Sequence, residues 1–150
     1  MDELTQAIYD LYQSNKKNMQ FGKVFNVLNN IPNSKLTKAK NTYAAISHDE
    51  IVIVLHDSTL FGSGKEGFVL TSKALYHRYA YSRDNVTMGT IHISDIKSVK
   101  ADTGLTDHID LRIEYDDTYE SLSLVGIKPE RRGLVVDFIS QCVELIKEKG

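Results

Sequence analysis

A phosphate-cradling loop needs the order G-x-x-x-x-G-K-[ST] running into a helix whose first N–H groups hold the anion. Gly62-Ser63-Gly64-Lys65 supplies only the end of that pattern. Thr59 stands five residues before Gly64, where the first glycine belongs, and Glu66 replaces the magnesium-binding hydroxyl. A strand pattern follows, not a helix, so no helix dipole points at the loop. A P-loop nucleotidase is not expected. What remains is a β–β connection whose glycines permit positive φ, with Lys65 as a lone basic contact for an anion.

Other reactive side chains are scattered. The five histidines (48, 56, 77, 92 and 108) lack the i, i+2 or i+4 spacing of metal ligands. If strands 74–80 and 86–93 pair as a hairpin, His77 faces about Thr90, not His92, so no metal site is expected. His56, Asp57 and Ser58 are consecutive, and a triad is a spatial arrangement that neighbours in sequence cannot supply. Asp107, Asp110, Asp116 and Asp117 fall near loop ends, where aspartate serves turns and is solvated. Cys142, the one cysteine, lies on an apolar stripe with Phe138 and Ile146. It reads as a core thiol and excludes both an internal disulfide and a cysteine zinc site. Arg131 and Arg132 oppose the dipole at the start of a helix, with Glu130 beside them to compensate. No catalytic constellation and no cofactor are expected.

Tyr76, Tyr79 and Tyr81 beside Arg78 and Arg83 have the composition of a base-stacking surface. Strand alternation, however, puts Tyr79 and Tyr81 on one side and Tyr76 with Arg78 on the other. Sheet packing is the reading, and nucleic acid is not an expected partner. The net charge of −2 gives no bulk attraction to polyanions.

The elements that position these residues change character near residue 46. Residues 1–46 hold six Lys against Asp2, Glu3 and Asp10, a net of +3, which leaves −5 for the remainder. Leu4, Ala7, Ile8, Leu11 and Tyr12 share one face of a helix. Phe21, Val24, Phe25 and Leu28 repeat the helical spacing, and Ser34 is the expected N-cap of a third helix carrying Leu36, Ala39 and Tyr43. Beyond residue 46 the period becomes two. Ile109, Leu111, Ile113 and Tyr115 alternate with Asp110, Arg112 and Glu114, a half-buried strand, and 119–125 returns after a turn at Asp116-Asp117-Thr118. Further strands are expected at 51–56, 66–71, 74–80, 86–93 and 96–101, seven in all. One helix closes the chain, with Pro129 in its first turn and Val135, Phe138, Ile139, Cys142, Leu145 and Ile146 as its stripe. The expected organisation is a helical extension over 1–46 and a β-rich domain over 47–150.

Seven short strands and a closing helix are the order of the pleckstrin-homology (PH) superfamily. The run from Gly67 to Tyr76 (GFVLTSKALY) resembles the "G-x-x-x-T-x-x-x-L-Y" hairpin of bacterial PH-like and GRAM-type domains, and Ile93–Val99 (ISDIKSV) is similar to their next strand entry. The likeness spans roughly residues 47–148. It implies an α+β fold, a seven-stranded antiparallel β-sandwich or barrel capped by the C-terminal helix, with the first 46 residues as an extension. It also implies a non-enzymatic binding module for a protein partner or an anionic membrane surface. Lipid-binding relatives carry a K-x(n)-[KR]-x-R pattern. Lys65 and Lys73 match its first two cations, Leu75 stands where the arginine belongs, and Arg78 is the displaced third charge. Lys65, Lys73, Arg78 and Arg83 are therefore the expected ligand contacts. The alternative is an assembly protein in which Leu4, Ile8, Leu11 and Tyr12 form a homo-oligomer interface. The acidic N-terminus lacks a basic, apolar leader, so a cytoplasmic location is expected, peripheral to a membrane if the ligand is lipid.

Overall fold

The computed structural model describes residues 2–18, 24–59, 62–103 and 109–149. They form two compact units, Met1–Gln20 with Ile93–Gly150, and Phe21–His92. The architecture is α+β, with two antiparallel sheets and a long C-terminal helix. Among the described residues there are eight strands, not seven, and they divide into sheets of five and three.

In the first unit, α1 (Glu3–Asn15) starts on Asp2, whose carboxylate accepts from the Thr5 N–H at 2.7 Å and satisfies an end-of-helix donor. Strands β6 (Ile96–Asp102), β7 (Asp110–Tyr115) and β8 (Thr118–Leu122) form the three-stranded sheet. The alternating run arrives as expected, with Leu111 and Ile113 fully buried. Its turn is the two residues Asp116-Asp117, with Asp116 at φ 49, a left-handed position that aspartate tolerates. The closing helix α3 (Pro129–Lys149) buries Val135, Phe138, Ile139, Cys142 and Ile146. Helix α1 packs on it, with the rings of Tyr12 and Phe138 meeting edge-on at 6.3 Å.

The second unit holds β1 (Phe25–Val27), α2 (Asn33–Thr42), β2 (Val52–Asp57), β3 (Gly67–Thr71), β4 (Ala74–Ser82) and β5 (Asn85–His92). The strands lie side by side in chain order, all antiparallel. Two expectations are corrected here. The segment read as a second helix contains β1: Phe25 and Val27 are buried on one side of a three-residue strand that pairs with β2, while Phe21 lies outside the described residues. Four apolar residues fit either period, and pairing with an existing strand decides between them. The N-cap of α2 is Pro32, not Ser34, which sits inside the helix. Ala39, Tyr43 and Ala44, from α2 and its end, pack on Leu55, Val69, Ala74 and Tyr76, one face of the sheet.

The β4–β5 hairpin is also one residue out of its expected register. Ser82 pairs with Asn85, but a bulge between Ala80 and Ser82 shifts the ladder, so His77 lies opposite Gly89 and Tyr76 opposite Thr90.

Candidate functional site

The four expected ligand contacts all lie in the second unit, yet they are not gathered. Lys73 occupies the β3–β4 turn and is ion-paired to Asp49. Arg78 lies midway along β4, opposite Gly67 on one side and Met88 on the other. Lys65 is exposed just before β3, and Arg83 is exposed in the β4–β5 turn. Ten residues of extended chain separate Lys73 from Arg83, roughly 30 Å at the usual strand rise. Lys65 and Arg83 therefore lie towards one end of the sheet, Lys73 at the other, and Arg78 between them.

Two of these cations are matched by carboxylates. The pairing to Lys73 draws Asp49 down to about 2, through the lysine and Ser47 hydrogen bonds, and raises Lys73. Arg78 Nη1 lies 3.9 Å from Glu66 Oε2, and Glu66 Oε1 accepts from the Ala80 N–H at 2.8 Å. Glu66 thus serves β4 just ahead of the first residue of β3.

The residues missed in the sequence are apolar. Met88 is 60% exposed and Val86 44%, the former the most exposed large apolar side chain among the described residues. Pairing puts Met88 opposite Arg78 and Val86 opposite Ala80, so all four share one face. The same face is covered at Tyr76, where the α2 cluster sits, and is open from Arg78 to Val86. Strand β5 is also an edge. Among the described residues it pairs only with β4, and Asn85–His92 carries no Asp, Glu, Lys, Arg or Pro. The alternation of 86, 88, 90 and 92 gives exposed positions along the whole strand, a signal present in the sequence but masked by its mixture of Thr, Gly and His.

Four other groupings have structural roles. Asp57 is buried, and its carboxylate lies 3.0 Å from Lys35 Nζ while accepting from the Thr59 N–H at 3.0 Å. Desolvation pushes that carboxyl up, but the Thr59 and Lys35 contacts outweigh it and the group is lowered. Gly62 and Gly64 have φ of 73° and 76°, and a side chain on Gly64 would meet the Lys35 backbone oxygen at 2.8 Å. The glycine loop therefore rests on α2, and a strand follows it. Glu50 accepts from the hydroxyls of Thr71 and Tyr76, each at 2.6 Å, tying the segment before β2 to the β3–β4 hairpin. Arg132 donates to the Ile127 carbonyl at 2.9 Å, so the first turn of α3 places its cation against a backbone oxygen.

The four residues expected at an oligomer face differ in burial within the chain. Ile8 is fully buried, Tyr12 meets Phe138, and Leu4 and Leu11 are half-buried.

The described groups that are shifted move away from neutrality. Asp49, Glu50, Asp57 and Glu114 are lowered, whereas burial raises Tyr43, Tyr76 and the Cys142 thiol. Proton transfer near pH 7 needs the opposite direction. No helix of the described residues is long and apolar enough to cross a membrane. No protein-family model, curated protein or solved structure matches the chain.

Proposed function

We propose that this chain is a non-enzymatic, PH-like binding module whose ligand is an extended segment of a protein, docked at the β4–β5 end of the five-stranded sheet. One observation carries the reading: Met88 and Val86 stand exposed on a charge-free edge strand, beside Arg78 and close to the turn bearing Arg83. An edge strand offers unpaired N–H and C=O groups that another strand can satisfy, while exposed alternate side chains select its sequence. Met88 is the apolar anchor, and Arg83 and Lys65 favour a carboxylate near the end of the segment. A membrane surface fits less well. Arg78 and Lys73 already face carboxylates, Asp84 adjoins Arg83, and edge backbone groups are poorly satisfied by lipid.

A random-peptide display selection against the whole chain tests this, with the selected peptide mapped by amide chemical shifts. The expected shifts fall on Asn85–His92 and disappear in Met88→Asp. Peptides that map away from β5 would overturn the proposal. So would sedimentation with phosphatidylserine vesicles, but not phosphatidylcholine ones, that is lost in Arg78→Glu and Arg83→Glu.

A further inference from the structure

We propose that the protein segment taken by β5 is β5 of a second copy of this chain, giving a two-fold dimer with a sheet continuous across the joint. This rests on the reading of β5 as the binding edge. The other edges carry the features that block such pairing. Strand β1 is three residues long, β6 displays Lys97 and Lys100, and β8 is five residues long and includes Glu120. Strand β5 has eight residues and none of these guards.

Its sequence is also complementary to itself when reversed. Outward-pointing backbone groups recur at every second residue, so an antiparallel joint must pair residues of like parity. Centring the joint on Met88 pairs Met88 with its own copy, Val86 with Thr90, and Thr87 with Gly89. The same register sets Asp84 of one copy opposite His92 of the other, and symmetry repeats that contact at the far end. Asp84, Val86, Met88, Thr90 and His92 are all exposed in the single chain. A carboxylate therefore meets an imidazole, a hydrogen-bond donor, at each end of an apolar centre. That complementarity is what selects a second copy over an unrelated strand.

Sedimentation equilibrium of the full chain, from micromolar to millimolar, should show the mass rising from one chain to two. Met88→Lys sets two like charges face to face and should hold the mass at one chain. Asp84→Lys should weaken the dimer, and Asp84→Lys with His92→Asp should restore it. Oxidation gives a second readout, because directly opposed residues have Cα atoms about 4.5–5.5 Å apart, within disulfide reach. Met88→Cys should cross-link to itself. Val86→Cys should cross-link only when mixed with Thr90→Cys, and Cys142 is fully buried and does not compete. A mass of one chain at millimolar concentration, or a dimer unmoved by Met88→Lys, overturns the inference. If peptides selected on the monomer still shift Asn85–His92, only the second copy is lost as partner. If they do not, the binding edge falls as well.

Discussion

Replacing Glu50 tests whether the segment before β2 is held to the sheet by hydrogen bonds to a charged acceptor. Its Oε1 receives the Thr71 and Tyr76 hydroxyls, each at 2.6 Å, and both of those residues are buried. Glu50→Ala leaves two buried donors short of an acceptor, at about 1–3 kcal/mol each. Thr71 can turn to the Ala74 carbonyl at 3.2 Å, which puts it at the low end of that range. Among the described residues Tyr76 is left the Ala45 carbonyl, at 3.5 Å, and sits higher. The expected loss is about 2–4 kcal/mol. Glu50→Gln keeps an oxygen for Thr71 and Tyr76 but removes the charge and sets an NH2 where Oε2 accepts from the Ser47 N–H at 2.6 Å, so a loss of about 1–2 kcal/mol is expected. Urea unfolding followed by tyrosine fluorescence is a natural assay, since the chain has eight Tyr and no Trp. Burial raises the Glu50 carboxyl, but its hydroxyl and backbone donors outweigh burial and lower it below its ordinary 4.5. A lowered carboxyl contributes stability that is present above its unfolded value and is lost as pH falls through the folded one. The gap between the natural chain and Glu50→Gln should therefore narrow in acid. Equal losses for Gln and Ala, or a gap independent of pH below 4.5, would refute the reasoning.

Two glycines should respond in opposite directions. A methyl on Gly67, at φ 128°, would lie 1.8 Å from the His56 oxygen, so Gly67→Ala should cost more than about 3 kcal/mol in a denaturant titration. Gly133 lies inside α3 with nothing within 4 Å of a new Cβ, so Gly133→Ala should raise stability by about 0.5–1 kcal/mol. Ile8→Ala empties a fully buried site on α1 and should cost about 2–5 kcal/mol with no change in mass on a sizing column. A drop in mass with little loss of stability would instead show that α1 joins two chains.

Strong periodicity was legible where one face of an element is buried throughout. The alternation over 109–115 placed β7, and the stripe from Val135 to Ile146 placed α3, because each core contact recurs at the element's own period. The loop chemistry was equally readable: Gly62 and Gly64 do occupy positive φ, and a strand does follow. Short segments were not. Phe25 to Leu28 fits a helix by spacing, yet a strand partner 30 or so residues away converts Phe25–Val27 into β1. The register of β4 on β5 was lost to a single bulge at residue 81, which local sequence does not mark.

The candidate site divides in the same way. Arg78 and Arg83 were visible as cations, but which charges remain available depends on Glu66 and Asp49, residues 12 and 24 positions away from Arg78 and Lys73. Composition could not give that answer, since an ion pair depends on distance in space. Met88 and Val86 were overlooked because an exposed apolar residue and a buried one look alike in a sequence.

By itself, the sequence determined which residues alternate, which repeat at helical spacing and where glycine turns the chain, because these are local steric and solvation preferences. Tertiary structure alone decided that α1 spends its apolar face on α3, that the strands divide into five and three, and that β5 is left as an edge. Those outcomes depend on which distant partner satisfies each backbone donor and apolar face, and that competition is settled only when the chain has folded.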